Sequence, residues 1–161
     1  MNHDWSTAAA SVCLCLFPLL TDADDAAGKA CALLTQAEIE TALGTTLPKL
    51  TPSGPFCMAK GSTVSVTVRL AKQTGAPGNE EKGLEMMKQM GVQVEVKKFG
   101  PITCSTLTPP ANLAAQFGFN TTCSVIKQGT VAAIEVAAPS RQNMAPIEKL
   151  RPLAEKMAGR L

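Results

Sequence analysis

Thr63-Val64-Ser65-Val66-Thr67-Val68-Arg69-Leu70 alternates without a break. Successive strand residues point to opposite faces, so Val64, Val66, Val68 and Leu70 share one side and Thr63, Ser65, Thr67 and Arg69 the other. Valine and threonine suit a pleated surface, and the pattern predicts a strand with one buried and one wet face. Just upstream, Phe56-Cys57-Met58-Ala59-Lys60 reads as a shorter strand. Gly61-Ser62 reads as a two-residue turn that closes the pair into a hairpin.

The same reading extends in both directions. Val92, Val94 and Val96 alternate with Gln93, Glu95 and Lys97, which predicts a strand whose valines face the core. Ile102 to Leu107 is the next strand. Asn120 to Lys127 and Thr130 to Ala138 form a further hairpin, with Gly129 where a positive φ is needed. Between these lie helices with recognisable ends. Thr35 and Glu38 form a capping box, Leu34 and Ile39 a hydrophobic staple, and Gly44 a stop, which predicts a helix over Gln36 to Leu43.

Asn79 caps a second helix that places Leu84, Met87 and Met90 inward as core filling and ends at Gly91. Thr108 is expected to cap a short helix running to Gly118. Ile147, Leu150, Leu153, Ala154, Met157 and Leu161 recur at helical spacing after Pro146, with a kink or restart expected at Pro152. Residues 45 to 55, with three prolines, read as a surface connection. The expected class is α+β: an antiparallel sheet of five to six strands, one side facing solvent, with N-terminal, middle and C-terminal helices packed on the other.

Ala8 to Leu20 (AAASVCLCLFPLL) is uncharged and mostly apolar, and an acidic stretch of small residues follows it. That run is too short to span a bilayer as a helix and suits a secretion signal, with cleavage after Ala23 or Ala27. Residues 1–27 are therefore expected to be a leader and 28–161 a single domain. All 15 Lys and Arg but only nine of the 13 Asp and Glu lie beyond residue 27, so the exported chain carries +6 against +2 overall. The basic residues are dispersed, with Lys97-Lys98 the one adjacent pair, and few aromatics interleave with them. Neither a nucleic-acid partner nor a membrane span after cleavage is expected.

Cys13 and Cys15 fall in the leader, which leaves Cys31, Cys57, Cys104 and Cys123, an even number for an oxidising compartment. Cys104 and Cys123 sit in β-prone segments on either side of a proline-rich connection, and antiparallel pairing sets them opposite each other. Cys31 then pairs with Cys57. No C-x-x-C spacing occurs, and the one histidine, His3, lies in the leader. No metal and no cofactor are therefore expected, and a four-thiolate zinc site is the remaining formal alternative.

Beyond Asp25 the chain has no histidine and no aspartate. A serine or cysteine nucleophile normally needs a base oriented by a carboxylate, so only Ser–Lys or Glu-based schemes survive. Glu38 is accounted for by the capping box, and Glu40, Glu80, Glu81, Glu85, Glu148 and Glu155 sit at exposed helical positions. Glu135 lies in phase with Val131, Ala133 and Ala137, and reads as marking the solvent face of its strand. Asn120-Thr121-Thr122 has the form of a glycosylation sequon. No catalytic residue is assigned.

Cys31-Ala-Leu-Leu-Thr-Gln-Ala-Glu-Ile-Glu-Thr-Ala-Leu-Gly44 resembles the opening of small exported bacterial domains of unknown function, which begin C-x-L-L-T-x-x-E-[I/V]-x-x-x-L-G. In those, a second cysteine follows in a strand, as Cys57 does here, and the terminal helix Leu150 to Leu161 is similar to theirs. The resemblance implies a periplasmic or extracellular α+β module and carries no catalytic residues across. The Cys104 and Cys123 pair and the lack of a lipobox are departures from that pattern. The function expected is that of a secreted or periplasmic, monomeric, non-catalytic binding module for a protein or small-molecule ligand. The alternatives are a protease inhibitor presenting residues 45–55 or 108–118, and an enzyme working through Lys or Glu alone.

Overall fold

A computed structural model describes residues 28–73 and 79–161, so the expected leader and residues 74–78 of the Gly- and Pro-containing loop expected over Gln73 to Asn79 lie outside the described residues. A helical turn over 28–32 precedes α1 (Gln36–Leu43). Then come β1 (Thr51–Ser53), β2 (Phe56–Lys60), β3 (Ser65–Lys72), α2 (Asn79–Gln89), β4 (Gln93–Phe99), β5 (Ile102–Thr108) and α3 (Ala111–Phe117). The chain closes with β6 (Phe119–Lys127), β7 (Thr130–Ala138), a 3₁₀ turn (Arg141–Asn143) and α4 (Ile147–Arg160). The strands form one open sheet in the order β1-β2-β3-β7-β6-β5-β4, antiparallel throughout. The class is α+β, as the sequence predicts, with seven strands rather than five to six.

Directly paired residues share a face, so register defines the two sides of the sheet. One row runs Cys57–Val68–Ile134–Cys123–Cys104–Lys97. This is the covered side: α4 lies across β5, β6 and β7, and α1 packs against α4. Leu150, Leu153 and Met157 of α4 and Leu34 and Ile39 of the α1 staple are almost wholly buried with Val66, Val68, Ile134 and Val136. The core is aliphatic, as the scarcity of aromatics requires. Its one fully buried hydroxyl, on Thr121, donates to the Ala145 carbonyl, so no uncompensated polar group remains there.

Both expected bridges are present. Cys31–Cys57 ties the helical turn over 28–32 to β2, and Cys104–Cys123 joins residues directly opposite on β5 and β6. α1 has the predicted bounds, with the Thr35–Glu38 capping box formed and Gly44 at φ 71°. In the β6–β7 turn both Gln128 (φ 51°) and Gly129 (φ 73°) are left-handed, which matches the twist of the strands they join.

Several expectations fail for definite reasons. Residues 51–53, read as part of a proline-rich connection, pair with β2, and Pro52 is tolerated because β1 is an edge strand. The β2–β3 turn spans four residues, Gly61 to Val64, with the Gly61 amide bonded to the Val64 carbonyl. A Cβ at Gly61 would lie 2.8 Å from that oxygen, so this turn requires glycine. α3 starts after Pro110 with no side-chain cap, and Thr108 ends β5 instead.

Pro152 lies inside an unbroken α4. It is exposed, so the one missing backbone bond falls on the solvent side while the buried stripe continues past it. In α2, Leu84 and Met87 are half-buried, but Met90 is exposed and Met86 is 63% exposed, so these methionines do not fill the core. The phase of β4 is also reversed: Glu95, Lys97 and Phe99 point to the helical side, and Val94 and Val96 to the other.

Candidate binding face

The uncovered side of the sheet is built by the alternate positions of every strand. Its central row runs Met58–Thr67–Glu135–Thr122–Ser105–Val96, and the next runs Phe56–Arg69–Ala133–Ser124–Thr103–Lys98. Most of these side chains are half-exposed, and Arg69, Val96, Lys98 and Glu135 are exposed. β-Branched threonines suit the pleat, and their hydroxyls give the face a repeated donor and acceptor surface. Glu135 stands on the middle strand of the seven, between Thr67 and Thr122, and is the one carboxylate that the described strands present on this side. Ala133 between Arg69 and Ser124 is 1% exposed, so its methyl lies beneath neighbouring side chains.

The other carboxylates with described side chains have structural partners. Glu38 caps α1 and also receives both guanidinium nitrogens of Arg160, at 2.9 and 2.7 Å, and Lys156 at 3.1 Å. The Arg160 contact, with the Thr35 amide, holds its carboxyl far below the usual carboxylate range and raises the Arg160 guanidinium. Glu40, expected at an exposed position, is half-buried and accepts from the Leu47 amide and the Gln36 side chain, which lowers its pKa.

Lys97 sits between Glu95 at 3.1 Å and Glu148 at 3.3 Å, and these two carboxylates raise its pKa. Glu148 is lowered by its own backbone amide first and by Lys97 second. Glu85 pairs with Lys88 and Glu155 with Arg151. The side chains of Glu80 and Glu81 lie outside the described residues.

Opposite the open face, a groove of about 490 Å³ runs between α1 and α4, lined by Ala37, Thr41, Ala42, Pro152 and Leu153 with charged rims. Its polar groups hold the helices together: Glu38 takes Arg160 and Lys156, and Lys149 donates to the last-turn Leu43 carbonyl of α1 at 2.7 Å. These contacts tie α1 to α4. Among the described residues, no group of three or more His, Cys, Asp and Glu could hold a metal ion. The four cysteines among the described residues are paired in bridges. No helix among the described residues is long and apolar enough to cross a membrane.

The sequon reads differently in three dimensions. Asn120 donates its amide to the Phe117 carbonyl, and Thr121 is fully buried. Residues 45–55 and 108–118 carry β1 and α3, so both proline segments contain regular structure. Thr67, Thr122, Arg69 and Lys98 are not visible as a group in the sequence because three separate strands, β3, β6 and β4, bring them together. Comparison with protein-family models, curated proteins and solved structures returned no match.

The Glu38 cluster predicts an acid-dependent stability. A carboxyl whose folded pKa is depressed contributes fully above its unfolded pKa, near 4.5, and loses that contribution as pH falls toward the folded value. Glu38→Gln should cost about 1 kcal/mol at pH 7, the scale of a lost cap, and markedly less at pH 3. Urea unfolding of both proteins at the two pH values measures this. An equal cost at both would show that ionised Glu38 is not what holds α1 to α4.

Proposed function

We propose that this protein is an exported, disulfide-stapled, non-catalytic binding module that presents the open face of its sheet to a polar partner. The observation carrying this reading is the continuous surface of Thr67, Glu135, Thr122, Ser105, Arg69, Ser124 and Thr103 across four strands, opposite the side covered by α4. Two bridges in a chain of this size support an oxidising compartment, and the apolar segment ahead of residue 28 supports export. The lack of histidine and aspartate beyond residue 25 supports a role in binding rather than turnover. Phe56, at the β2 end, is the one aromatic that the described strands place on this face, so recognition rests on hydrogen bonds and charge rather than stacking.

The test has two arms. A broad hydrolase and transferase screen of the purified protein should show no turnover. Activity abolished by one Glu, Lys or Ser substitution would overturn the reading. In the second arm, Thr122→Arg and Glu135→Lys should each weaken capture of a partner from native culture by at least about tenfold, the scale of one disrupted polar contact. Retention of the same partner by both variants would exclude this face as the contact surface.

A further inference from the structure

The two edges of the sheet are treated differently. β1 closes one with three residues, the middle one Pro52, a short and blunted edge that resists further pairing. β4 leaves the other open over seven residues with no proline, and among the described residues it pairs with β5 alone. An open edge exposes alternate backbone amides and carbonyls that accept another strand. Apolar surface gathers beside it. Of the five large exposed apolar side chains among the described residues, Val96 lies on β4 itself, and Met86 and Met90 lie on or just after α2, the helix packed against β4.

We propose that β4 pairs antiparallel with β4 of a second copy of this chain, with Val96 on the two-fold axis, joining the two seven-stranded sheets edge to edge. The strand Gln93-Val94-Glu95-Val96-Lys97-Lys98-Phe99 is self-complementary about its centre. In that register Val96 meets Val96, Glu95 of each copy meets Lys97 of the other, and Val94 meets Lys98. Opposite charges directly across a ladder stabilise pairing, and like charges oppose it. Moving the axis to Glu95 or to Lys97 sets identical charges on each other, so charge selects the register that also pairs all seven residues.

Backbone geometry agrees. Every pair in this register joins residues an even number apart, so the outward-pointing amides and carbonyls of one copy face those of the other. Glu95 and Lys97 point to the helical side, where Lys97 already contacts Glu148, so the junction continues an alternating row of charge. On the other side Val96, 42% exposed, is covered by its twin. The proposal departs from the monomer expected of the sequence, because the open edge and the phase of β4 exist only in the fold. It is independent of the proposed binding role.

A strand-edge contact of this size is at the small end of specific interfaces, so association should be concentration-dependent. Sedimentation of the purified, bridge-intact protein over roughly 1 μM to 1 mM should show a shift from monomer to dimer. Glu95→Lys alone and Lys97→Glu alone should each weaken the dimer by at least about tenfold, since each sets like charges across the axis. Mixing the two variants should restore it, because one strand then carries two lysines at these positions and the other two glutamates.

Side-chain exposures of 58% for Glu95 and 42% for Lys97 let both substitutions leave the fold intact, which circular dichroism and melting of each variant verify. Lys49→Glu, in the exposed segment ahead of β1 at the far edge of the sheet, should leave association unchanged. A wild-type protein that stays monomeric throughout, a dimer indifferent to both reversals, or a mixture that fails to recover would each overturn the proposal.

Discussion

Replacing Cys31 and Cys57 together with alanine should lower the unfolding free energy by about 3 kcal/mol, the entropy that a bridge closing a loop of this length removes from the unfolded chain. The bridge spans 26 sequence positions and pins the helical turn over 28–32 to β2, where Cys57 is fully buried. Releasing it also frees the segment whose Leu33 carbonyl accepts from Arg160 at 2.6 Å, so the damage should spread to the α1–α4 contact. Hydrogen exchange should show lost protection first around residues 30–34.

Removing Cys104–Cys123, which spans 19 positions, should cost a similar amount, since loop entropy varies only logarithmically with length. Its partners are already opposed in the β5–β6 ladder, so exchange should rise evenly rather than at one end. Urea unfolding of both double variants supplies the energies. An unchanged midpoint for the first would mean that the N-terminal turn contributes nothing to the fold.

Leu150→Ala should be as damaging, at about 3 kcal/mol, from lost transfer energy and the cavity left behind. Leu150 is 0% exposed at the centre of the α4 stripe, against a sheet that has no second layer of helix to fill the space. Leu150→Met, close in volume, should cost less than about 1.5 kcal/mol. Equilibrium denaturation separates the two. A cost for alanine near that for methionine would place α4 off the sheet.

α1 was legible to the residue because every signal that bounds it is local. Thr35 and Glu38 bond each other's backbone within one turn, and Gly44 takes the positive φ at the end. β3 was legible because its two faces differ sharply and Val66 and Val68 occupy the covered one. β7 gave a subtler correct reading: Glu135 in phase with Val131, Ala133 and Ala137 marks the open side.

β4 defeated the same logic. Its alternation is as regular as that of β3, yet its valines face outward, because Cys104 lies opposite Lys97 and sets the register. At the sheet's rim, beyond the ladder that α4 covers most fully, no burial penalty forces valine inward, and the long Lys97 side chain reaches Glu148. Pro52 misled in the same way, since a proline is excluded from a central strand but not from an edge.

Local chemistry in the chain thus dictated the turns, caps, bridge partners and the identity of almost every strand and helix, since each depends on residues within a few positions of one another or on a parity that two cysteines record. Strand order was beyond its reach, and with it the position of each edge, the side on which β4 shows its valines, and the gathering of Thr67, Arg69, Thr122 and Glu135 on one surface. Those follow from pairings between residues as far apart as Thr67 and Glu135, whose energies depend on what lies across the ladder rather than along the chain.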